Sequence, residues 1–275
     1  RRLITAWSQV RVLVGPPMEM QTELIQLSLF LYYLKGYIMK LTKRLSAVAN
    51  LIPCSLCIAD IGTDHAYIPI YLIEKGKIAK AIAADINKGP LERAKKHIEQ
   101  KQMADRVEVR LGNGLSVLKK HEVDGAVLAG MGGHMMQSVL EKDHLIAKTL
   151  NWIVLQPQNH ISDLRIWLQK NKYRIEKEVL VEEKNQLYEA MYVTQGEMEQ
   201  FSLLDAEVGV TKGRHKDPLF KNLLEKLIKK RNFVIQGVVK ESANEVNKIK
   251  RDKAIKEKEL LEEILWKYLH QTLSK

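Results

Sequence analysis

The sequence predicts an α/β protein: a mainly parallel sheet covered by helices on both faces, ending in an antiparallel hairpin and followed by a helical arm. Three observations predict it. From residue 39 to about 195, short apolar runs rich in Ile, Val and Ala alternate with stretches of helical periodicity. Gly, Pro, Asp and Asn punctuate the junctions, as turn chemistry requires. After about Gly213 the strand-like runs stop, and apolar residues recur only at helical spacing. Strands alternating with helices imply parallel pairing with both faces buried.

The elements follow in order. "KLTKRLSAVANLI" places Leu41, Leu45, Val48, Ala49 and Ile52 at helical spacing and is stopped by Pro53. "LCIADIG" reads as a short buried strand, and Ala66 to Lys75 as a helix closed by Gly76. "KIAKAIAADI" is a second strand ending at Asp85, and "NKGPLERAKKHIEQKQM" a helix with Pro90 in its first turn. "RVEVRLGNGL" is a third strand with its turn, and "VDGAVLAGMGG" a fourth ending among glycines. "HMMQSVLEKDHLIAK" is a helix, "NWIVLQPQNH" a fifth strand and "ISDLRIWLQKN" another helix. "YRIEKEVLVEEKNQLYEAMYVTQG" reads as two strands turning near Glu183, Lys184 and Asn185. In the last stretch Leu219, Leu223, Leu227, Val234 and Val238 form one apolar set, and Ile249, Leu260, Ile264 and Leu265 a second. A turn between Lys240 and Asn244 makes this a helical hairpin or short coiled-coil arm.

Composition narrows the classes. The 275 residues are 45% hydrophobic, enough for a packed core, and carry a formal net charge of +11. From Lys212 to Lys258 there are 15 Lys/Arg against 6 Asp/Glu. Most of the excess charge therefore lies on the arm, which favours a grip on a polyanion over an ordinary solvated face. The candidate contacts are Lys226, Lys229, Lys230 and Arg231, with Lys43 and Arg44 ahead of the first strand. Cys54 and Cys57 make a C-x-x-C without a second pair, so no zinc site is expected, and their place at a strand start reads as two small hydrophobes. Cysteine use of this kind suits the cytoplasm. The apolar run Leu24–Leu34 is about half of the ~20 residues that cross a bilayer, so no membrane partner is expected. Residues 1–38 read as an extension outside the functional domain, which opens at Met39.

In a parallel sheet, ligands bind beyond the C-terminal strand ends. Asp60, Asp85, Asn113, the Gly130 run and Gln156 all fall at such ends and converge on one cleft. A dinucleotide presents its pyrophosphate to the first turn, which needs three spaced glycines; "ADIGTDHAYIPI" has one, Gly62, followed by Asp64 and His65. S-adenosylmethionine carries no phosphate. Its ammonium and sulfonium favour the Asp60 and Asp64 carboxylates, its ribose diol the carboxylate of Asp85, and its adenine the "GNG" of Gly112, Asn113 and Gly114. An acid after the second strand serves NAD equally well, so the ordered set carries the reading.

The run "KLTKRLSAVANLI…ADIGTDHAYIPIYL…AADINKGPLERAKKHI…RLGNGL…AGMGG…LQPQNH" resembles the bacterial tRNA (adenine-22-N1)-methyltransferase family, from Met39 to about Gln195 and more loosely into the arm. The resemblance implies a Rossmann-like class I methyltransferase sheet over 39–212 and a coiled-coil arm for tRNA over 213–275. It implies donor contacts from Asp60, Gly62, Asp64 and His65, ribose contacts from Asp85 and Ile86, adenine contacts from Gly112, Asn113 and Gly114, and a wall from Gly130 and Met131. "AGMGG" stands where many base N-methyltransferases have Asn-Pro-Pro-Tyr, so the amides of Gln156, Gln158 and Asn159 are the expected substitutes. Asp64 is placed to stabilise a cationic product; His65 is a candidate base or an ordinary turn residue. Neither a metal nor a covalent intermediate is needed, and a monomer is expected. The competing readings are an NAD-dependent oxidoreductase, a methyltransferase acting on another RNA, a protein or a small molecule, and a non-catalytic RNA-binding protein.

Overall fold

The computed structural model describes residues 39–240 and 245–273. The expected extension over residues 1–38, and residues 241–244 of the expected arm turn, lie outside the described residues. The chain divides into two compact units, Arg1–Lys40 and Leu41–Lys275, and the fold below is that of the second.

Helix α1 (Lys43–Leu51) is capped by the Thr42 hydroxyl, which accepts from the Leu45 N–H. The sheet then builds from β1 (Ser55–Ile61), β2 (Ile78–Asp85), β3 (Val107–Leu111), β4 (Gly125–Met131) and β5 (Trp152–Pro157). Between them run α2 (Tyr67–Glu74), α3 (Lys88–Gln100), α4 (Gly133–Lys142) and the short α5 (His144–Ala147), with α6 (Ile161–Lys170) after β5. The hairpin is β6 (Tyr173–Glu183) and β7 (Gln186–Gln195). Strand order is β3-β2-β1-β4-β5-β7-β6: the first five strands are parallel, β7 pairs antiparallel with β5, and β6 with β7. The order reverses between β1 and β4, which opens a crevice there. Lys184 and Asn185 both adopt left-handed backbone (φ 51° and 60°), the two-residue turn that matches strand twist.

The central strands bury Ile58, Ala59, Ala83, Val127, Val154 and Leu155 almost completely, as expected for a sheet covered on both faces. Cys57 is half-buried at the start of β1, and burial pushes its thiol up; Cys54 is exposed, and neither forms a disulfide.

The arm consists of α8 (Phe220–Lys240) and α9 (Glu245–Leu273). They run antiparallel: the Phe220 ring meets Tyr268, and Arg231 meets Glu257. Their root is sealed by Leu180, Val208, Phe220, Leu223, Leu224, Leu227 and Leu261, so the arm rises from the β6–β7 hairpin. Helix α7 (Leu203–Val208), held by a Ser202–Asp205 capping box, is an element the hydrophobic pattern did not announce. One detail of the arm reading is corrected. Ile249 (61%) and Leu260 (50%) are exposed, and Ala254 with Leu261 face the partner helix instead. The phase of α9 is set by packing on α8 rather than by its own largest side chains.

Candidate active site

Four successive strand ends build one cavity of about 250 Å³. It is lined by Gly62 after β1, Asp85 and Ile86 after β2, Gly112, Asn113 and Gly114 after β3, and Gly130 and Met131 at the end of β4. Each position follows from local chemistry. Gly62 takes φ +77°, and its N–H donates to the Ala84 carbonyl at 2.8 Å, docking the first turn on the end of β2. Gly130 sits at φ +82° in a break of the β4–β5 register between Ala129 and Met131, a bulge that turns the strand end toward the cavity. The Asn87 N–H donates to Asp85 Oδ1 at 2.7 Å, which fixes the carboxylate at the rim of the strand end.

Asp60 lies under this floor, 6% exposed, and accepts from the Thr63 hydroxyl at 2.7 Å. Burial pushes its carboxyl up to about 6, against the Thr63 hydrogen bond, with the nearby Asp85 adding to the rise. Asp60, expected from the sequence to reach the cleft, is therefore buried behind the lining, and Asp85 is the acid that faces the cavity. No Lys or Arg is among the lining residues. The first turn has one glycine rather than the three that cradle a pyrophosphate, and a cationic nucleoside finds the Asp85 carboxylate beside it. The chemistry of the lining fits S-adenosylmethionine.

Asp64 and His65 are not brought into the cavity. Asp64 is exposed and pairs with Arg93 of α3 at 2.9 Å. The His65 carbonyl accepts from His97 Nδ1 at 2.8 Å, and its ring stacks on Tyr67. His65 and Ala66 take left-handed backbone (φ 70° and 54°), and neither Asp64 nor His65 is among the residues lining the cavity.

Gln156 is also displaced from its expected part. It is wholly buried, its Nε2 donates to the Pro157 carbonyl at 3.0 Å, and its Oε1 accepts from Gln158 and, at 2.6 Å, from Arg44. With its amide committed, it cannot read a base edge and instead holds a guanidinium. Arg44 stands beside the Gly130 bulge and over the Tyr188 ring, 5.8 Å from its centroid, while its N–H donates to Glu183. Asn159 is exposed, and its carbonyl accepts from the Gly133 N–H. Thr63, Tyr188 and Glu183 are the participants the sequence did not single out. Tyr188 lies on the hairpin, and no local pattern tied it to the strand ends.

On the arm, Lys226, Lys229 and Lys230 are exposed, as is Lys43 on α1. Arg231 differs from them: it is 5% exposed and donates to Glu207 of α7 and Glu257 of α9. It is an internal tie of the arm, because an apolar helix seam holds a guanidinium only when carboxylates satisfy it.

A family described as "Methyltransferase domain" matches residues 41–191. The chain is 33% identical to the Bacillus subtilis tRNA (adenine(22)-N(1))-methyltransferase over 82% of its own length and 98% of the relative's. The crystal structure of the B. subtilis m1A22 tRNA methyltransferase superposes with a TM-score of 0.70 at 32% identity, covering 82% of this chain and 99% of that one. A Streptococcus pneumoniae structure with S-adenosyl-L-methionine bound gives 0.72 at 31% identity, covering 82% and 100%. Among the described residues no helix is long and apolar enough to cross a membrane. Identity at this level over nearly the whole relative means that the chain belongs to the tRNA (adenine-22-N1)-methyltransferase family.

Proposed function

We infer that this chain transfers a methyl group from S-adenosylmethionine to N1 of an adenine in tRNA, the adenine at position 22. One observation carries the chemistry: the cavity at the switch point gathers Asp85 and the Gly112–Gly114 backbone around a first turn with a single glycine, Gly62, where a pyrophosphate needs three. S-adenosylmethionine supplies the electrophilic methyl group. The chain's own residues align and exclude water. Asp85 accepts from the ribose hydroxyls, the backbone at Gly112–Gly114 borders the adenine, and Gly62 lets the main chain approach. Adenine N1 has a usable lone pair at neutral pH, so alignment at near-contact distance replaces a strong base. N1 lies on the Watson–Crick edge, so the target must be unpaired or rotated out of its stack. Arg44, fixed by Gln156 and Glu183, is assigned to the incoming nucleotide. The arm over residues 213–275 grips the tRNA backbone.

The test is mass spectrometry of nucleosides from unmodified tRNA incubated with the chain and the donor. N1-methyladenosine is expected; its absence, with donor and tRNA both bound, would overturn the reading. Charge reversal of Lys226, Lys229 and Lys230 together should weaken tRNA binding by at least about tenfold and flatten its salt dependence by roughly three units of log–log slope. Donor affinity should not change, and parallel loss of both would point to misfolding instead.

A pH dependence follows from Asp60. Its carboxyl is neutral below about 6 and ionised above. A cationic donor binds the ionised form better, so affinity should rise roughly five- to tenfold from about pH 5 to about pH 7.5. Asp60→Asn should flatten that rise. A slope unchanged in the variant would assign the titration elsewhere.

A further inference from the structure

Helices α4 and α6 begin side by side, just beyond the ends of β4 and β5. The Gly133 N–H donates to the Asn159 carbonyl at 3.1 Å, and a Cβ at Gly133 would meet the His160 carbonyl at 2.5 Å. Only glycine permits so close an approach. It brings His134, in the first turn of α4, against His160, which precedes α6 in left-handed backbone (φ 51°). The two imidazoles stack with centroids 3.9 Å apart. Asp163, in the first turn of α6, completes the group. Its Oδ2 lies 3.1 Å from His134 Nε2 and 3.1 Å from His160 Nδ1. The three candidate ligand atoms all fall within 4.8 Å of one another.

Those separations are informative. Ligand atoms bound at roughly 2.0–2.2 Å to one ion, at tetrahedral or octahedral angles, lie about 3.0–3.5 Å apart. The two His–Asp contacts already have that spacing and the three ligand atoms lie within 4.8 Å of one another, so an ion replaces the two shared hydrogen bonds after a local adjustment of the exposed rings. Two imidazoles and one carboxylate suit a first-row transition ion such as Zn²⁺, whereas Mg²⁺ and Ca²⁺ select oxygen-only sets. Half of each side chain is exposed, which gives an entry path and leaves further positions to water.

We propose that His134, His160 and Asp163 form a binding site for a divalent first-row transition-metal ion where α4 and α6 begin. The ion pins the β4–α4 turn, which carries the Gly130–Met131 wall of the donor cavity, to the β5–α6 turn, which carries Asn159. The site is independent of the methyl-transfer reading.

The test is calorimetry of the tag-free full chain with Zn²⁺, with the visible absorption of Co²⁺ as a second readout. One ion per chain in the micromolar range is expected, with a thermal midpoint raised by a few degrees. His134→Ala and His160→Ala should each weaken binding by about tenfold or more, and the double variant should abolish it. Millimolar Mg²⁺ should not compete. Each variant is checked for folding by circular dichroism and by its metal-free denaturant midpoint, which should match those of the unaltered chain. Equal Zn²⁺ stoichiometry and affinity in a folded double variant, or no Zn²⁺ binding by the unaltered chain, would overturn the proposal.

Discussion

Asp85→Ala should lose S-adenosylmethionine affinity by roughly a hundredfold, or about 3 kcal/mol, while the fold and the tRNA affinity survive. The carboxylate stands at the C-terminal end of β2, half-buried, with Oδ1 held by the Asn87 N–H and the group opening into the cavity. Charge-assisted hydrogen bonds to a ribose diol contribute about 1.5–3 kcal/mol each, and the same charge attracts the sulfonium. No other lining residue carries a negative charge. Asp85→Asn keeps an acceptor for the Asn87 N–H but not the charge, so it should fall between the two. Calorimetry with the donor measures the series. An affinity for Asp85→Ala within threefold of the unaltered chain would remove Asp85 from the donor site.

Arg165→Met should destabilise the protein by about 3–5 kcal/mol. Arg165 is fully buried on α6; it donates to Glu178 of β6 at 2.7 Å, to Glu189 of β7 at 2.6 Å and to the Ala206 carbonyl at 2.8 Å. Glu178 also accepts from the N–H groups of Val210 and Thr211, and Glu189 also pairs with Arg214. This knot joins the hairpin to the segment leading into the arm. Removing the guanidinium leaves Glu178 buried with its charge largely uncompensated. Denaturant unfolding at neutral pH reads the loss; a deficit under about 1 kcal/mol would show that the pair is dispensable.

The sign with pH is also set. In the unaltered chain Arg165 and Arg214 hold Glu178 below its ordinary range despite burial. Its contribution to stability is therefore full above the ordinary glutamate range and is lost as pH falls through the lowered value. In Arg165→Met the carboxyl lacks that partner and prefers the proton, so the deficit should shrink between about pH 7.5 and about pH 4.5.

Much of the fold was legible because sheet strands and amphipathic helices announce themselves by period. β1, β2, β4 and β5 lie on the apolar runs, and the Lys184–Asn185 turn falls where turn residues cluster. Helix α7 escaped notice because six residues leave too little length for a helical period to show. The phase of α9 escaped because Ala254 and Leu261 were chosen by the partner helix, not by hydrophobic size.

The same division runs through the site. What the sequence determined by itself is the placement of Gly62, Asp85, Asn113 and Gly130 at strand ends. Topology forces strand ends in a parallel sheet to one edge, so chain order alone predicts their meeting in one cavity. What only the tertiary structure decided is where side chains point and which partner takes them. Asp64 reads as a carboxylate for the donor and Arg231 as a tRNA contact in a linear pattern, yet Arg93 pairs with the first, and Glu207 with Glu257 hold the second. Gln156 reads as a free amide until Arg44, 112 residues away in the chain, occupies it. A charge or amide takes its partner from whatever the fold brings within about 3 Å, and that distance is a property of packing rather than of local pattern.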